Sequence, residues 1–138
     1  MMNEKTDYRE QIEQSIHAEL CDAGFFSQIA NEAPSKEHRE IIKNMVGEEY
    51  GHAQIQATLL HITTPSMHYP PEGSAATGRF EADVESAVKC GLEAIQRYTR
   101  LREHVPDSDI RRRLASILDD EYAHIRIWTS LLCRMDKN

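Results

Sequence analysis

The sequence predicts an all-α protein: a four-helix bundle made of two antiparallel helix hairpins joined by a long crossover loop. Three observations carry that expectation. Apolar residues recur at helical spacing along four stretches, and no stretch alternates with period two for long enough to be a strand. Prolines and glycines divide the chain into four such parts. The second half also repeats the pattern of the first at an offset of 72 residues.

The first helix is expected over about 7–32, opened by Asp7 with Glu10 as a capping box and stopped by Pro34. Its apolar face runs through Ile12, Ile16, Leu20, Ala23, Phe26 and Ala30. Ser35 can cap the second, expected over about 36–62, which carries Ile41, Met45, Ile55 and Leu59 and stops at Thr63-Thr64-Pro65. Pro65, Pro70, Pro71, Gly73 and Gly78 mark a loop over about 63–79. The third helix, about 80–104, presents Val84, Val88, Leu92, Ile95 and Tyr98, followed by Val105, and is ended by Pro106. Ser108 can cap the fourth, about 108–134, with Ile110, Leu114, Ile117, Leu118, Ile125, Trp128 and Leu132. The turns at Asn31 to Ser35 and at Val105 to Asp107 are short, so each flanking pair should form an antiparallel hairpin. The central loop is too long to be idle in a compact domain. A helix of about 25 residues is about 37 Å long, and a loop of about 16 residues reaches about 53–58 Å. It can therefore return the chain along the whole bundle, so that the third helix starts at the end opposite to where the second stops.

Composition narrows the function. The 138 residues have the length of one domain. With 40% apolar and 28% charged residues the chain is neither disordered nor low-complexity. A net charge of −7 argues against nucleic acid and anionic lipid as partners. Apolar runs are far too short for a membrane span, and the first residues show no signal-peptide pattern. Cys21, Cys90 and Cys133 are odd in number and contain no Cys-x-x-Cys, so neither a disulfide framework nor a zinc or rubredoxin-type knuckle is expected. A reducing cytoplasm fits this usage best.

Two apolar faces are interrupted by the same motif. Glu49-Tyr50-Gly51-His52 and Glu121-Tyr122-Ala123-His124 both read Glu-x-x-His. Residues three apart lie about 60° apart around a helix, so both groups of each pair point the same way. Charges on core faces are costly unless paired or bound to metal, and carboxylates with imidazoles suit iron or manganese. Chance supplies about one such match in a chain this rich in Glu and His. The register is more telling: residues 48–60 align without gaps with 120–132, six of 13 positions being identical. Ile12, Ile16, Leu20 and Phe26 map onto Val84, Val88, Leu92 and Tyr98 at the same offset, so the chain is a doubled hairpin. Glu19 falls between Ile16 and Leu20 on the core face, level with the four motif groups, and is most simply a fifth ligand.

Glu19, the two Glu-x-x-His pairs and the stretches Ile16 to Ala30, Glu48 to Leu60, Ala87 to Leu101 and Asp120 to Leu132 resemble the ferritin-like di-metal carboxylate proteins, and most of all their rubrerythrin branch without a rubredoxin domain. The resemblance covers nearly all of the chain except the central loop. It implies two iron ions, or two manganese ions, bridged by Glu49 and Glu121. Glu19 and His52 would complete one ion, and His124 with a third-helix glutamate the other. It also suggests that Glu48 and Asp120 each accept a hydrogen bond from the histidine of the opposite helix.

The third helix departs from that pattern. The position matching Glu19 is Gly91, and Ala94 stands where rubrerythrins carry an additional glutamate. Glu93, the obvious substitute, is about 200° round the helix from Gly91, on the side away from Val88 and Ile95. The second ion is thus expected to be weak, with water or an outside anion in the space beside Gly91. His17, His38, His61, His68 and His104 have no partner spacing, and Arg111-Arg112-Arg113 is expected as a solvated face. The expected function is a rubrerythrin-like oxidoreductase that reduces peroxide or oxygen, or oxidises ferrous iron. Its expected partners are an outside electron-donor protein, the oxidant, and a second copy of the chain in a homodimer. The alternative is a non-catalytic metal-binding or structural bundle with an incomplete second site. An iron-storage cage is disfavoured because no fifth helix is evident.

Overall fold

A computed structural model describes the backbone of residues 4–61 and 75–135, and the side chains of 8–61 and 75–133. Four helices follow in order: α1 (Glu4–Glu32), α2 (Lys36–Leu59), α3 (Phe80–His104) and α4 (Ser108–Met135). They form an all-α four-helix bundle. α1 packs along α2 and α3 along α4; α1 also lies against α3, and α2 meets α4 more loosely.

Local chemistry sets the helix ends. Ser35 sits in extended conformation (φ −145°, ψ 162°) and accepts from the His38 amide at 3.1 Å, as a helix cap should. α2 stops at Leu59, where His61 takes a left-handed φ of 56°, three residues short of the expected end at 62. α1 is already helical at Glu4, so Asp7 lies inside the helix and does not open it. At α4 the capping acceptor is Asp107, not Ser108: its Oδ1 receives the amides of Asp109 and Ile110 at 2.9 and 3.0 Å.

Most of the central loop, residues 62–74, lies outside the described residues, yet its two ends fix the topology. Arg9 Nη2 donates to the Leu60 carbonyl at 3.4 Å, placing the end of α2 beside the start of α1. At the other end of the bundle, Gln28 accepts from the Ala76 amide at 2.8 Å and Glu32 from the Gly78 amide at 3.0 Å, placing the start of α3 beside the end of α1. The end of α2 and the start of α3 therefore lie at opposite ends of the bundle.

The start of α3 is held by Asp83, whose side chain is buried. Its carboxylate accepts from the Thr77 amide at 2.9 Å and the Thr77 hydroxyl at 2.9 Å. Burial opposes its charge, but hydrogen bonds from Glu32 and Thr77 hold its carboxyl below the ordinary range. Its contribution is therefore present above the unfolded-state pKa and lost as pH falls through the folded one. Asp83→Ala is expected to cost about 2 kcal/mol in urea unfolding at neutral pH. The difference should shrink in acid; an equal difference at both ends of the pH range would disprove this role.

Two apolar layers fill the bundle. One contains Ile12, Ile16, Leu20, Tyr98, Leu114 and Ile117; the other contains Phe26, Ile29, Ile42, Met45, Val84 and Trp128. The expected face of α3 holds at Val84 and Tyr98 and fails at Leu92, which is 51% exposed, while Gly91 and Ala94 are buried. Between the two layers α1, α2 and α4 contribute a belt of buried polar side chains.

Candidate metal centre

That belt contains all five residues singled out from the sequence. Glu19, Glu49, His52, Glu121 and His124 are each at most 3% exposed. Glu19, Glu49, His52 and Glu121 offer donor atoms within 4.8 Å of one another, a grouping that could hold a metal ion. His124 stands beside them, its Nδ1 2.9 Å from Glu49 Oε1 and 3.9 Å from Glu121 Oε2. His52 Nδ1 lies 3.3 Å from Glu121 Oε1 and 3.6 Å from Glu19 Oε1. The two imidazoles are stacked, with centroids 6.1 Å apart.

The outer edge of each imidazole is held by a carboxylate from the facing helix. His52 Nε2 is 2.8 Å from Asp120 Oδ2, and His124 Nε2 is 2.7 Å from Glu48 Oε2. An ionised carboxylate only accepts, so both Nε2 atoms donate and both Nδ1 atoms face the buried acids. Glu19 is oriented in turn by Tyr98, whose hydroxyl donates to Glu19 Oε1 while accepting from Gln56 Nε2 at 2.8 Å.

Electrostatics mark the cluster as strained without a cation. Burial disfavours a charge on Glu19, but hydrogen bonds with Glu49, His52 and Tyr98 and the charge of His52 hold its carboxyl down at about 2. Burial, with the charges of Glu19 and Glu121, pushes Glu49 well above the ordinary carboxylate range. Burial also raises Glu121. Burial opposes protonation of His52, yet Glu121, Glu19 and Asp120 push it up to about 11.

The donor set fits a transition-metal ion. Both oxygens of Glu49, Glu19 Oε2, Glu121 Oε1 and the Nδ1 atoms of His52 and His124 are buried and make no well-aligned hydrogen bond, although ion-pair contacts as short as 2.9 Å link some of them. Each such atom costs roughly 1–3 kcal/mol unless something satisfies it. A divalent cation satisfies several at once, and carboxylate with imidazole suits iron or manganese.

Comparison with known proteins agrees with the motif. A family model for rubrerythrin matches residues 10–132. The chain belongs to the rubrerythrin family. It is also similar in fold to a crystal structure of ferritin-like, diiron-carboxylate proteins from Bacillus anthracis strain Ames. The TM-score is 0.73 at 19% identity, over 96% of this chain and 99% of that one. A comparison with curated proteins found no match.

At α3 the structure alters one expectation. The space expected beside Gly91 for water or an anion is taken: a Cβ there would lie 2.6 Å from Ile125 Cγ1 and 3.1 Å from Ile125 Cδ1. Glu93 is exposed and does not replace the missing carboxylate.

Sequence reading missed the groups that surround Glu19 from α1 and α3. Arg97 lies 4.0 Å from Glu19 and over the Tyr98 ring, and its Nε donates to Ser15 at 3.3 Å. Asp22 bonds to Cys90, and the signal for it was its position three residues after Glu19 on the same helix. Burial, then the charge of Glu19, push the Asp22 carboxyl up from 3.8 to about 8, against the attraction of the nearby Arg97 guanidinium. A carboxylate raised on folding costs stability increasingly as pH climbs from its unfolded value towards its folded one. Asp22→Asn is therefore expected to stabilise the protein by about 2 kcal/mol near pH 8, after allowing for the partner Arg97 loses, and to have little effect near pH 3. Thermal unfolding across that range checks it; destabilisation at pH 8 would show that the pairing with Arg97 dominates.

Proposed function

We propose that the protein is a rubrerythrin-type metal oxidoreductase, reducing peroxide or oxygen, or oxidising ferrous iron, at the buried Glu/His belt. The observation that carries this reading is the set of unpartnered carboxylate oxygens and Nδ1 atoms turned towards one another in the core. Iron held there would supply electron transfer to a small oxidant, and the electrons would come from an outside donor protein. Reduction of hydrogen peroxide to two waters takes two electrons and two protons.

The chain's residues have definable parts in this. Glu19, Glu49, His52 and Glu121 would hold the metal, with His124 beside them. Tyr98 and Gln56 fix one oxygen of Glu19, leaving Oε2 for the metal. Asp120 keeps the His52 proton on Nε2, so Nδ1 is the donor. Asp120 is half-exposed and lines a groove of about 510 Å³ with Arg112, Arg113 and Ser116, which gives small molecules and protons a path to His52.

The test is anaerobic loading with ferrous iron followed by rapid mixing with hydrogen peroxide, observed by absorbance. Oxidation much faster than for free ferrous iron, and lost in Glu49→Gln, is the expected result. The packing of Ile125 against Gly91 favours a second reading, a metal-binding bundle without turnover. Tight metal binding with oxidation no faster than in solution would establish that one instead.

A further inference from the structure

The repeat within the chain pairs positions 72 apart: Glu19 with Gly91, and Ala53, which follows His52, with Ile125, which follows His124. The first half thus combines a carboxylate on its first helix with a small residue on its second. The second half does the reverse, with glycine on α3 and a branched aliphatic side chain on α4. The exchange is spatial as well as formal, because Ile125 Cγ1 stands 2.6 Å from where a Cβ on residue 91 would be. Hydrocarbon of Ile125 occupies the space that a side chain at position 91 would enter.

We propose that this chain holds one divalent transition-metal ion tightly, among Glu19, Glu49, His52 and Glu121, and that Gly91 and Ile125 together close the second position. The proposal rests on the reading that the belt binds metal, and it changes the number and placement of ions. Three carboxylates and an imidazole converge on the first position. A second ion would have His124 and only the carboxylates already neutralising the first. No replacement acid comes from α3: Ala94 is buried and apolar, and Glu93 is exposed. Asp22, on α1, is engaged with Cys90. A cation left without compensating anions in a buried site is strongly disfavoured. His124 then serves as a positioning residue, with Glu48 on its outer nitrogen and Glu49 2.9 Å from its inner one.

The experiment is titration of the metal-free full chain with manganese(II), followed by calorimetry, elemental analysis after desalting, and electron paramagnetic resonance. One ion per chain is expected, with the six-line spectrum of an isolated ion and any second equivalent bound more than about 100-fold more weakly. Two ions of similar affinity, or a spectrum broadened by coupling between ions, would overturn this inference while leaving the proposed function intact. No bound ion would overturn both. The double variant Gly91→Glu/Ile125→Ala tests the role of the pair, with Ile125→Ala alone as the control for folding, checked by circular dichroism. The double variant should take up a second ion and the single variant should not. A folded double variant that still binds one ion would overturn the part assigned to Ile125.

Discussion

Saturating manganese(II), at a thousand times its dissociation constant, should raise the unfolding free energy of the metal-free protein by about 4 kcal/mol. For a chain of this size that corresponds to a melting-temperature rise of more than about 10 °C. The effect is large because the folded chain brings buried acids and imidazoles together with their inner atoms unpartnered, an arrangement the unfolded chain does not share. Glu49→Gln should abolish the increment, since Glu49 is central to the donor group. The same variant should be no less stable than the parent without metal at neutral pH. Burial and its acidic neighbours push the Glu49 carboxyl up from its ordinary 4.5, so its charge costs stability once pH exceeds that value. Differential scanning of both proteins with and without manganese(II) measures all four states. An equal metal-induced shift in the variant would exclude Glu49 as a ligand.

Trp128→Ala should cost about 3–5 kcal/mol, lowering the melting temperature by roughly 10–20 °C. Trp128 is fully buried, meets Phe26 edge-on at 5.0 Å, and lies one turn beyond His124 on α4. Its Nε1 has no hydrogen-bond partner, so the contribution comes from packing, and Trp128→Phe should recover much of it. Urea unfolding of the metal-free proteins checks this. A cost below about 1 kcal/mol would mean that the layer repacks around the gap.

The bundle was legible because helical periodicity, two short turns and one long loop are local signals, each carried by residues close in sequence. The belt was legible because Glu-x-x-His places both groups on one face of a single helix, and because Glu19 interrupts an apolar row. Gly91 marked a loss at the level of composition, but only three dimensions reveal that Ile125 has taken the space. Its symmetry mate Ala53 was visible in the aligned repeat, yet without the approach of α3 to α4 the difference between Ala and Ile carried no meaning. The same limit hid Asp22, Arg97 and Gln56, whose parts depend on contacts between helices. Leu92 was misplaced because Ala87, Gly91 and Ala94, which form the middle of the buried face of α3, score poorly as apolar markers.

The two carboxylate–imidazole contacts, His52 with Asp120 and His124 with Glu48, both cross from α2 to α4, the pair of facing helices that packs least closely. They therefore act as clasps between the two hairpins, and each clasp ends on an imidazole of the belt. An ion drawing on His52 from inside also immobilises the outer contact, so loading the centre should slow the local opening of one hairpin from the other. Hydrogen exchange should report this unevenly. Amides of α2 near residue 52 and of α4 near residue 120 should gain the most protection on metal binding, while α1 and α3, already closely packed, change little. In this view the centre is also the latch of the bundle, and how freely the α2–α4 seam breathes is set by what the centre holds.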